Sequence, residues 1–463
     1  MVALRTFVLC MVIIHVANAG FIRGARQSHR SSASAESNRV WKLPGLKDQE
    51  LPVTTYAGLI AINESVAAET AAGSVFYLLF EAESNPEESP LVLWLQGGPG
   101  CSSEFGAFFE NGPLLLNKDL TLSRNDYSWT KVANVLYVDQ PVGTGYSFTE
   151  RKVEYVSSEK QIADELYEFL QQFFILYPQY AKLPFFIFGE SYAGHYVPAI
   201  GGRILYGNQD RAGVFINLKG IGIGNGMTHP ALQFGSYAPY AHSHGLIDEE
   251  TLQQVQVVYE GCVKALKSEP AEQAAKSCDP IPRMVLSAAG PVNMYDVRLT
   301  CPPGVPLCYD TAYADDYFKS AEVQQALHVI RPGEEVRHWS QCDGMVGHQL
   351  NTDWFVSQRY EMPMILDHYR VLLYVGDMDF ICNLLGNEAW VQSMDWQYRA
   401  EFNSAPRRPW MVDGELAGYV KTYAGLSFVG VRNAGHMVPQ DQPKHALELL
   451  TKFLNNEPIT TEA

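Results

Sequence analysis

The sequence has few basic residues, and this scarcity excludes a large class of partners. Its 463 residues include 34 Lys and Arg against 51 Asp and Glu, a formal net charge of -17 at pH 7. Proteins that bind nucleic acid need clustered cationic side chains to neutralise phosphates. We therefore expect no nucleic-acid partner. Hydrophobic residues make up 47% of the chain, which is enough for a sizeable core.

Common metal-binding and nucleotide-binding motifs are also missing. The chain has no C-x-x-C pair, no H-E-x-x-H and no G-x-x-x-x-G-K-[ST]. His445 and Glu448 have the spacing of metal ligands, as in a metallocarboxypeptidase. No third ligand accompanies them, so we interpret them as a helix surface. The glycine-rich run 220–226 lacks G-x-G-x-x-G spacing. We expect no metal and no cofactor.

No segment is apolar over the roughly 20 residues that a membrane-spanning helix needs. Near the N-terminus, Arg5 precedes an apolar run at 7–17, and Ala17-Asn18-Ala19 has the pattern of a signal-peptidase site. We predict a signal peptide at residues 1–19, followed at 20–39 by a polar leader or short pro-segment. We expect no membrane anchor.

Two further features agree with passage through the secretory pathway, towards a lysosome, a vacuole or the extracellular space. Asn63-Glu64-Ser65 is a sequon, which predicts glycosylation of Asn63. Cleavage after residue 19 would leave seven of the eight cysteines. In an oxidising compartment an odd number suggests three disulfides and one free thiol, and the residues alone leave the pairing open.

Short apolar runs, rich in β-branched and aromatic residues, predict strands covered on both faces of a mainly parallel sheet. Between two of them, Ser158 and Gln161 form a capping box, apolar residues repeat at helical spacing, and Pro178 ends the helix. This order predicts an α/β fold. The runs lie at 75–80, 91–95, 135–138, 185–188, 371–375 and 427–431.

The stretch 228–326 interrupts this rhythm. It contains helix-like segments, such as 251–264, and four cysteines. We interpret it as a largely helical cap inserted into the α/β domain. The predicted core then has two parts, residues 40–227 and residues 327–463.

A serine lies where one buried run meets a predicted helix. In Gly189-Glu190-Ser191-Tyr192-Ala193, small residues flank Ser191 at the spacing of a nucleophile elbow, with Ala193 where many elbows have glycine. An ordinary strand–turn–helix junction gives a similar pattern, so this motif needs catalytic partners elsewhere in the chain.

Later loops supply those partners in the order that α/β-hydrolases use. A serine hydroxyl becomes a nucleophile when an imidazole takes its proton and a carboxylate orients that imidazole. The loops after the last two apolar runs contain Asp377 and Asp379, and then His436. We expect Gly376 and Gly435 to let these loops turn tightly.

The loop after residues 91–95 is Gln96-Gly97-Gly98-Pro99-Gly100. Its backbone N–H groups can approach a developing oxyanion without obstruction by side chains. The loop therefore predicts part of an oxyanion hole, the last component that acyl transfer to a serine requires.

Five longer motifs resemble those of the serine carboxypeptidases, the family of carboxypeptidase Y, cathepsin A and the wheat-type enzymes. The resemblance extends from about Val40 to about Leu454. It implies an α/β-hydrolase fold and removal of the C-terminal residue of peptides at acidic pH through an acyl-enzyme. The motifs are WLQGGPGCSS (94–103), VDQPVGTGYSF (138–148), GESYAGHYVP (189–198), GDMDFICN (376–383) and NAGHMVPQDQP (433–443).

The resemblance also assigns roles. Gln96 stands where the family usually has Asn, so its amide is one methylene further out. Two Glu facing a substrate carboxylate require a shared proton, because like charges raise each other's pKa and a protonated Glu donates a hydrogen bond. The implied groups are the triad Ser191, Asp379 (not Asp377) and His436, the oxyanion-hole N–H groups of Gly98 and Tyr192, and the carboxylate-binding residues Trp94, Gln96, Glu110 and Glu190.

Substrate pockets and disulfides follow from the same resemblance. Phe109, Tyr295, Tyr309 and Met437 are implied for the departing residue, and Ile381 and Cys382 for the other side of the scissile bond. They predict hydrophobic preferences, since no additional acid is apparent, although ordinary core packing is an alternative for the aromatics. The implied disulfides are Cys101–Cys342, Cys262–Cys278 and Cys301–Cys308, with Cys382 free.

Two alternatives within the family stay open. Some plant relatives are acyltransferases, in which a small alcohol replaces water, and a lysosomal member also acts as a protective partner of other enzymes. Retention of Glu110 and Glu190 favours peptide substrates. We expect the C-termini of peptides and proteins as partners, with a homodimer as a further option.

Overall fold

The computed structural model describes residues 35–47, 50–62, 73–149, 155–211 and 213–460. The predicted signal peptide, most of the polar leader and the glycosylation site Asn63 lie outside the described residues. Within the described part of the chain, every helix is too short or too polar to cross a bilayer.

Fifteen strands are present in the described residues. They are β1 Arg39–Val40, β2 Thr55–Ile62, β3 Gly73–Phe80, β4 Leu91–Leu95, β5 Leu114–Leu116, β6 Leu122–Arg124, β7 Asn134–Val138, β8 Phe185–Glu190, β9 Leu218–Gly224, β10 Val292–Asn293, β11 Asp296–Thr300, β12 Arg370–Gly376, β13 Arg408–Val412, β14 Glu415–Tyr423 and β15 Leu426–Val431.

Helices alternate with these strands and fill a long segment between β9 and β12. They are α1 Glu159–Leu176, α2 Ala193–Asp210, α3 Pro230–Gln233, α4 Tyr237–Ser243, α5 Glu249–Ser268, α6 Ala271–Cys278, α7 Pro280–Ala289, α8 Tyr313–Phe318, α9 Ala321–Ala326, α10 Gly344–Gln349, α11 Met362–Leu366, α12 Leu384–Ser393, α13 Arg399–Ser404, α14 Val438–Asp441 and α15 Pro443–Asn455.

Eleven of the described strands form one sheet in the order β1-β2-β3-β7-β4-β8-β9-β12-β15-β14-β13. The centre, from β7 to β15, is parallel. Antiparallel pairs flank it on both sides, so the sheet is mixed rather than mainly parallel throughout. Central strands such as β4 and β7 are completely buried, as their continuous apolarity predicts. The α/β-hydrolase prediction is confirmed.

Most of the glycine-rich run 220–226, which lacked nucleotide-binding spacing, lies in strand β9 of this sheet. A Cβ at Gly222 would lie 2.1 Å from the Phe188 ring, and one at Gly224 would lie 2.6 Å from the Tyr374 ring. The glycines therefore leave room for large rings on the neighbouring strands. Their alternation with Ile221 and Ile223 has the period of two that is typical of a strand.

Helices α3 to α7 surround a hydrophobic cluster of their own. Its buried members include Tyr237, Val255 and Ile281, together with Phe380 and Cys382 from the loop after β12. Helix α5 extends beyond the predicted segment 251–264 at both ends. The short hairpin β10–β11 follows these helices.

Three disulfides are present in the described residues, and they are the pairs that the family resemblance implies. Cys101–Cys342 connects the glycine-rich loop after β4 to the segment before α10. Cys262–Cys278 joins α5 to α6, and Cys301–Cys308 closes a short loop after β11. Cys382 is a buried free thiol.

Candidate active site

Ser191 occupies a strained turn between β8 and α2. Its φ is +64°, a left-handed conformation that is uncommon for a residue other than glycine. The backbone hydrogen-bonds on both sides: Ser191 N–H donates to Gly224 O (3.1 Å), and Ser191 O accepts from Met227 N–H (2.9 Å). A Cβ at Gly189 would lie 2.6 Å from Ala193 Cβ. The small residues are therefore required by this turn, which has the geometry of a nucleophile elbow.

His436 and Asp379 meet at the ends of β15 and β12. His436 Nδ1 and Asp379 Oδ2 are 2.7 Å apart, and both side chains are buried. Asp379 also accepts hydrogen bonds from the N–H groups of Ile381 (2.9 Å) and Cys382 (3.2 Å). Ser191 and His436 line the same cavity. The geometry places Asp379, and not its neighbour Asp377, against the imidazole.

Asn225 also binds the Asp379 carboxylate, and sequence reasoning missed it. Its Nδ2 donates to Asp379 Oδ2 (2.8 Å), while its Oδ1 accepts from Gly376 N–H (3.1 Å). The residue is buried with φ at +42°. Asn tolerates this backbone conformation better than most residues. An Asn directly after β9 was therefore the sequence feature that could have indicated this position.

Gly376 and Gly435 have a different purpose from the one expected. Neither has a positive φ, so neither provides a left-handed turn. Instead, a Cβ at Gly376 would lie 2.0 Å from Gly435 O, and one at Gly435 would lie 2.5 Å from Tyr295 O. These glycines allow three backbone segments to approach closely around His436.

The glycine-rich loop lies directly against the elbow. A Cβ at Gly97 would lie 2.5 Å from the backbone nitrogen of Tyr192 and 2.7 Å from Ser191 Cβ. Gly98 has φ at +115°, which only glycine adopts readily. The loop thus brings unobstructed backbone beside the nucleophile, as an oxyanion hole requires.

Two buried glutamates share one amide beside the nucleophile. Gln96 Nε2 lies 3.1 Å from Glu110 Oε1 and 3.2 Å from Glu190 Oε1. Trp94 Nε1 donates to Gln96 Oε1 (2.9 Å), which fixes the orientation of the amide. The longer side chain of Gln96 therefore reaches both acids.

Burial raises the pKa of both carboxyls in this pair. For Glu110 the pKa rises to about 7. For Glu190 it lies well above its usual range, because of burial and then because of the nearby Glu110 charge. Glu110 is the last residue of a single π-helical turn, Gly106–Glu110, a feature found frequently at functional sites. The pair favours retention of a proton at acidic pH.

A cavity of about 290 Å³ contains the nucleophile. Of the predicted groups it includes Gln96, Gly98, Glu190, Ser191, Tyr295, Tyr309, His436 and Met437. Its walls also contain residues that sequence reasoning missed, among them Phe105, Leu307, Gln341 and Asp343.

Other predicted site residues do not line this cavity. Trp94, Glu110 and Tyr192 are buried one layer behind it. Phe109 stacks on Phe105 with ring centroids 4.7 Å apart, so it supports the wall instead of forming it. Ile381 and Cys382 are likewise outside the lining.

Asp343 corrects the expectation that the pocket holds no additional acid. It lines the cavity, although its Oδ1 accepts hydrogen bonds from Met345 N–H (2.9 Å) and Val346 N–H (3.0 Å). The carboxylate therefore also caps the N-terminus of α10.

A second pair of buried acids, Glu104 and Asp139, lies near the cavity but does not line it. Asp139 accepts hydrogen bonds from Ser103 N–H (2.9 Å) and Tyr146 N–H (2.8 Å). Ser102 Oγ donates to Glu104. Burial raises the pKa of Asp139 to about 6 and holds that of Glu104 well above its usual range.

Comparisons with known proteins identify the family of this chain. A sequence profile described as serine carboxypeptidase matches residues 44–456. "Serine carboxypeptidase S10 family member 1" of Dictyostelium discoideum is 41% identical over 406 residues, 88% of this chain and 95% of the relative. "Serine carboxypeptidase 3" of Oryza sativa subsp. japonica is 39% identical over 418 residues, 89% of this chain and 81% of the relative.

A solved structure gives the same result for the fold. The structure of Kex1(delta)p, a prohormone-processing carboxypeptidase from Saccharomyces cerevisiae, superposes with a TM-score of 0.82 at 29% identity. The match covers 93% of this chain and 98% of the yeast protein. The profile matches most of the chain, and the structure contains the elbow and the acid-bearing loops described above. This chain therefore belongs to the serine carboxypeptidase family and is a peptidase.

Proposed function

We propose that the protein removes single residues from the C-termini of peptides at acidic pH through an acyl-enzyme on Ser191. The observation that carries the proposal is the position of Glu190. It is bonded to the Gln96 amide and immediately precedes Ser191. A terminal carboxylate bound by these groups would lie about one residue from the carbonyl that Ser191 attacks, which restricts cleavage to the last peptide bond.

The triad geometry supports a two-step acyl transfer. His436, oriented through Nδ1 by Asp379, takes the Ser191 proton as the hydroxyl attacks the carbonyl carbon. The backbone N–H groups of Gly98 and Tyr192 stabilise the oxyanion. His436 then gives the proton to the departing amine, and a water molecule activated by the same imidazole releases the acyl group.

The shared proton of Glu110 and Glu190 explains why acidic pH favours peptides. While the pair holds a proton, it donates a hydrogen bond to the substrate carboxylate. Loss of that proton places anions against an anion, which is repulsive in a buried site. The Gln96 amide has only two N–H donors, so it does not offset this charge.

The cavity walls support a preference for hydrophobic residues at the cleaved end. Tyr295 and Tyr309 pack against each other with centroids 6.1 Å apart, and Phe105 and Met437 add apolar surface. Asp343 is the one acid on that wall besides Glu190 among the residues described. Its bonds to the N-terminus of α10 reduce its capacity to bind a basic side chain.

We place the protein in the secretory pathway, either in an acidic organelle or in an acidic extracellular space. This part of the proposal is supported by the signal-like residues 1–19, the disulfides and the acid pair. The interpretation of 228–326 as an inserted cap belongs to the same proposal, supported by the separate hydrophobic cluster of α3 to α7.

The test is mass spectrometry of a peptide with a blocked N-terminus, incubated at pH 5 with enzyme. We expect stepwise loss from the C-terminus, insensitivity to a metal chelator, and complete loss of activity in Ser191→Ala. Ser268→Ala, an exposed serine on α5, is the matched control and should keep full activity. Internal cleavage would contradict the carboxylate anchor. Transfer to an added alcohol without hydrolysis would instead indicate an acyltransferase.

A further inference from the structure

The hairpin β10–β11, inserted between β9 and β12, is bonded to the loop that carries Asp379. Met294 O, in its turn, accepts a hydrogen bond from Ile381 N–H (3.1 Å). Val297 N–H donates to Met378 O (2.9 Å). These contacts are made by backbone on both sides of Asp379, so they position the loop without depending on side-chain identity.

The same hairpin is bonded to the loop that carries His436. Tyr295 O accepts from His436 N–H (2.7 Å), and its ring packs edge-on against the imidazole with centroids 5.1 Å apart. Gly435 has no space for a Cβ against Tyr295 O. The hairpin therefore contacts both loops of the triad, at the residues beside Asp379 and at His436 itself.

One side chain of the hairpin connects three parts of this arrangement. Arg298 forms a fork on Asp296, with Nε 2.8 Å from Oδ1 and Nη2 2.6 Å from Oδ2. Its Nη1 donates to Asn433 O (2.6 Å), and its Nη2 lies 3.3 Å from Asp441 Oδ2. The same oxygen of Asp441 accepts from Gly435 N–H (2.6 Å).

We propose that Arg298 is a positioning residue for His436. It does not line the cavity, so it acts on the reaction only through the loop that it holds. Asn433 and Gly435, the two backbone groups that it fixes directly or through Asp441, lie three residues and one residue before His436. Asp296 is 1% exposed, so the carboxylate that the planar guanidinium group binds is held in place. A lysine could supply the charge but not the two parallel bonds.

The proposal requires only that the triad reacts, and the experiment measures this in two ways. The first is the rate at which a serine-directed organophosphate labels Ser191, which depends on His436 but not on peptide binding. The second is kcat and KM for peptide hydrolysis, measured well below the melting temperature of each variant. Arg298→Met and Arg298→Lys are compared with Arg283→Met on α7. Arg283 is a suitable control because it has one exposed ion pair, with Asp279.

We expect Arg298→Met to lower the labelling rate and kcat in parallel, by about 100-fold, because small displacements of a catalytic group have effects of that order. KM should stay within about threefold, since substrate contacts are intact. Arg298→Lys should recover about tenfold of the loss. Arg283→Met should match the wild type.

Unchanged labelling in Arg298→Met, or a rise in KM with kcat retained, would overturn the proposal. So would a lower melting temperature with normal rates, which indicates a merely structural ion pair. Should Arg298→Met not fold, Arg298→Lys carries the test, and a wild-type labelling rate in that variant is equally decisive. If wild-type enzyme labels at Ser191 but leaves peptides intact, the proposed function fails while the labelling rates still test Arg298.

Discussion

Two pairs of buried acids, whose first members Glu104 and Glu110 are close together in the chain, have different surroundings in the structure. In the scaffold pair, Glu104 and Asp139, backbone N–H groups bind both oxygens of Asp139, and a serine hydroxyl binds one oxygen of Glu104. In the site pair, Glu110 and Glu190, the Gln96 amide donates to one oxygen of each acid, and Glu190 faces the cavity. Burial raises the pKa values in both pairs.

A raised pKa therefore does not by itself identify a functional acid. What distinguishes the pairs is access to the cavity, which Glu190 lines and the scaffold pair does not, together with the number of carboxyl oxygens left without a partner. Among the described residues, three of the four carboxyl oxygens of the scaffold pair are hydrogen-bonded to the loops 102–103 and 145–146, whereas one oxygen of each acid in the site pair has no partner and Glu190 borders the cavity. The distinction can be tested by making the same change in each pair.

The largest expected effect comes from Glu110→Ala set against Glu104→Ala. Loss of Glu110 should raise KM for free-acid peptides at pH 5 by about 10- to 100-fold, because Gln96 and Glu190 lose the partner that positions them for a charged ligand. Peptide amides, which lack the terminal carboxylate, should be affected by less than about threefold. Kinetics on a matched acid and amide pair measure the difference.

Glu104→Ala is the matched control, since both residues are fully buried glutamates. It should leave KM unchanged and lower the free energy of unfolding by about 1–3 kcal/mol, because Asp139 and Ser102 lose their partner. A selective rise in free-acid KM in Glu104→Ala would show that the two pairs are not functionally distinct.

The KM for free-acid peptides should depend on pH through the site pair. As pH rises through about 7, the pKa to which burial raises Glu110, the site pair loses the Glu110 proton, and the new negative charge makes free-acid peptides bind less tightly. KM should increase by up to about tenfold per pH unit above that pKa. In the double variant Glu110→Gln/Glu190→Gln neither side chain can ionise, so the curve should be flat. Glu104→Gln should keep the wild-type rise.

Stability should depend on pH through the scaffold pair. The pKa of Asp139, about 6 in the folded protein, exceeds its unfolded value of about 3.9, so the native state holds a proton that the unfolded state releases. This contribution is fully present below about pH 4 and is lost as pH rises through 6. Urea unfolding at pH 4.5 and 7.5 should show a smaller decrease in Asp139→Asn than in wild type, by about 1–3 kcal/mol, because this variant has no Asp139 carboxyl to titrate. Equal decreases would contradict the assignment.

The smallest effect concerns Cys382, a buried free thiol in the loop that carries Asp379. Burial, and then the Asp379 charge, hold the pKa of its thiol well above the usual range. Iodoacetamide at pH 7.5 should therefore modify native protein at least about tenfold more slowly than protein unfolded in urea, because only the thiolate reacts. Rapid labelling of the native protein would show that burial does not protect this thiol.

The sequence alone predicts those parts of the site whose interacting residues are close together in the chain. The elbow at Ser191 needs small residues within two positions, and the loops after β12 and β15 follow their strands directly, so local pattern sufficed. Local pattern could not decide whether Asp377 or Asp379 is the triad carboxylate, because both are in the same loop. The family resemblance made that choice. The helix after Ser158 was also predictable, since its cap is local.

The pocket wall could not be predicted in this way. Phe105, Leu307 and Asp343 come from three distant segments, which only the tertiary fold brings to one cavity. Asn225 was missed for the same reason, since its partner Asp379 is 154 positions away. Strand β9 was missed because glycine weakens strands in isolation, and the rings that fill the space above it belong to other strands.

That glycine strand sets a limit on which sequences can keep this fold. A ring from another element lies against each of the three glycines of β9, as at Gly222, where the Phe188 ring lies where a methyl group would be. In a saturation library, tolerance should therefore alternate along the strand, with Ile221 and Ile223 accepting other apolar side chains and the glycines accepting none. Replacing such a glycine by a larger residue would also require a smaller side chain in place of the ring that packs against it. Evolutionary substitutions at these positions would therefore occur in pairs.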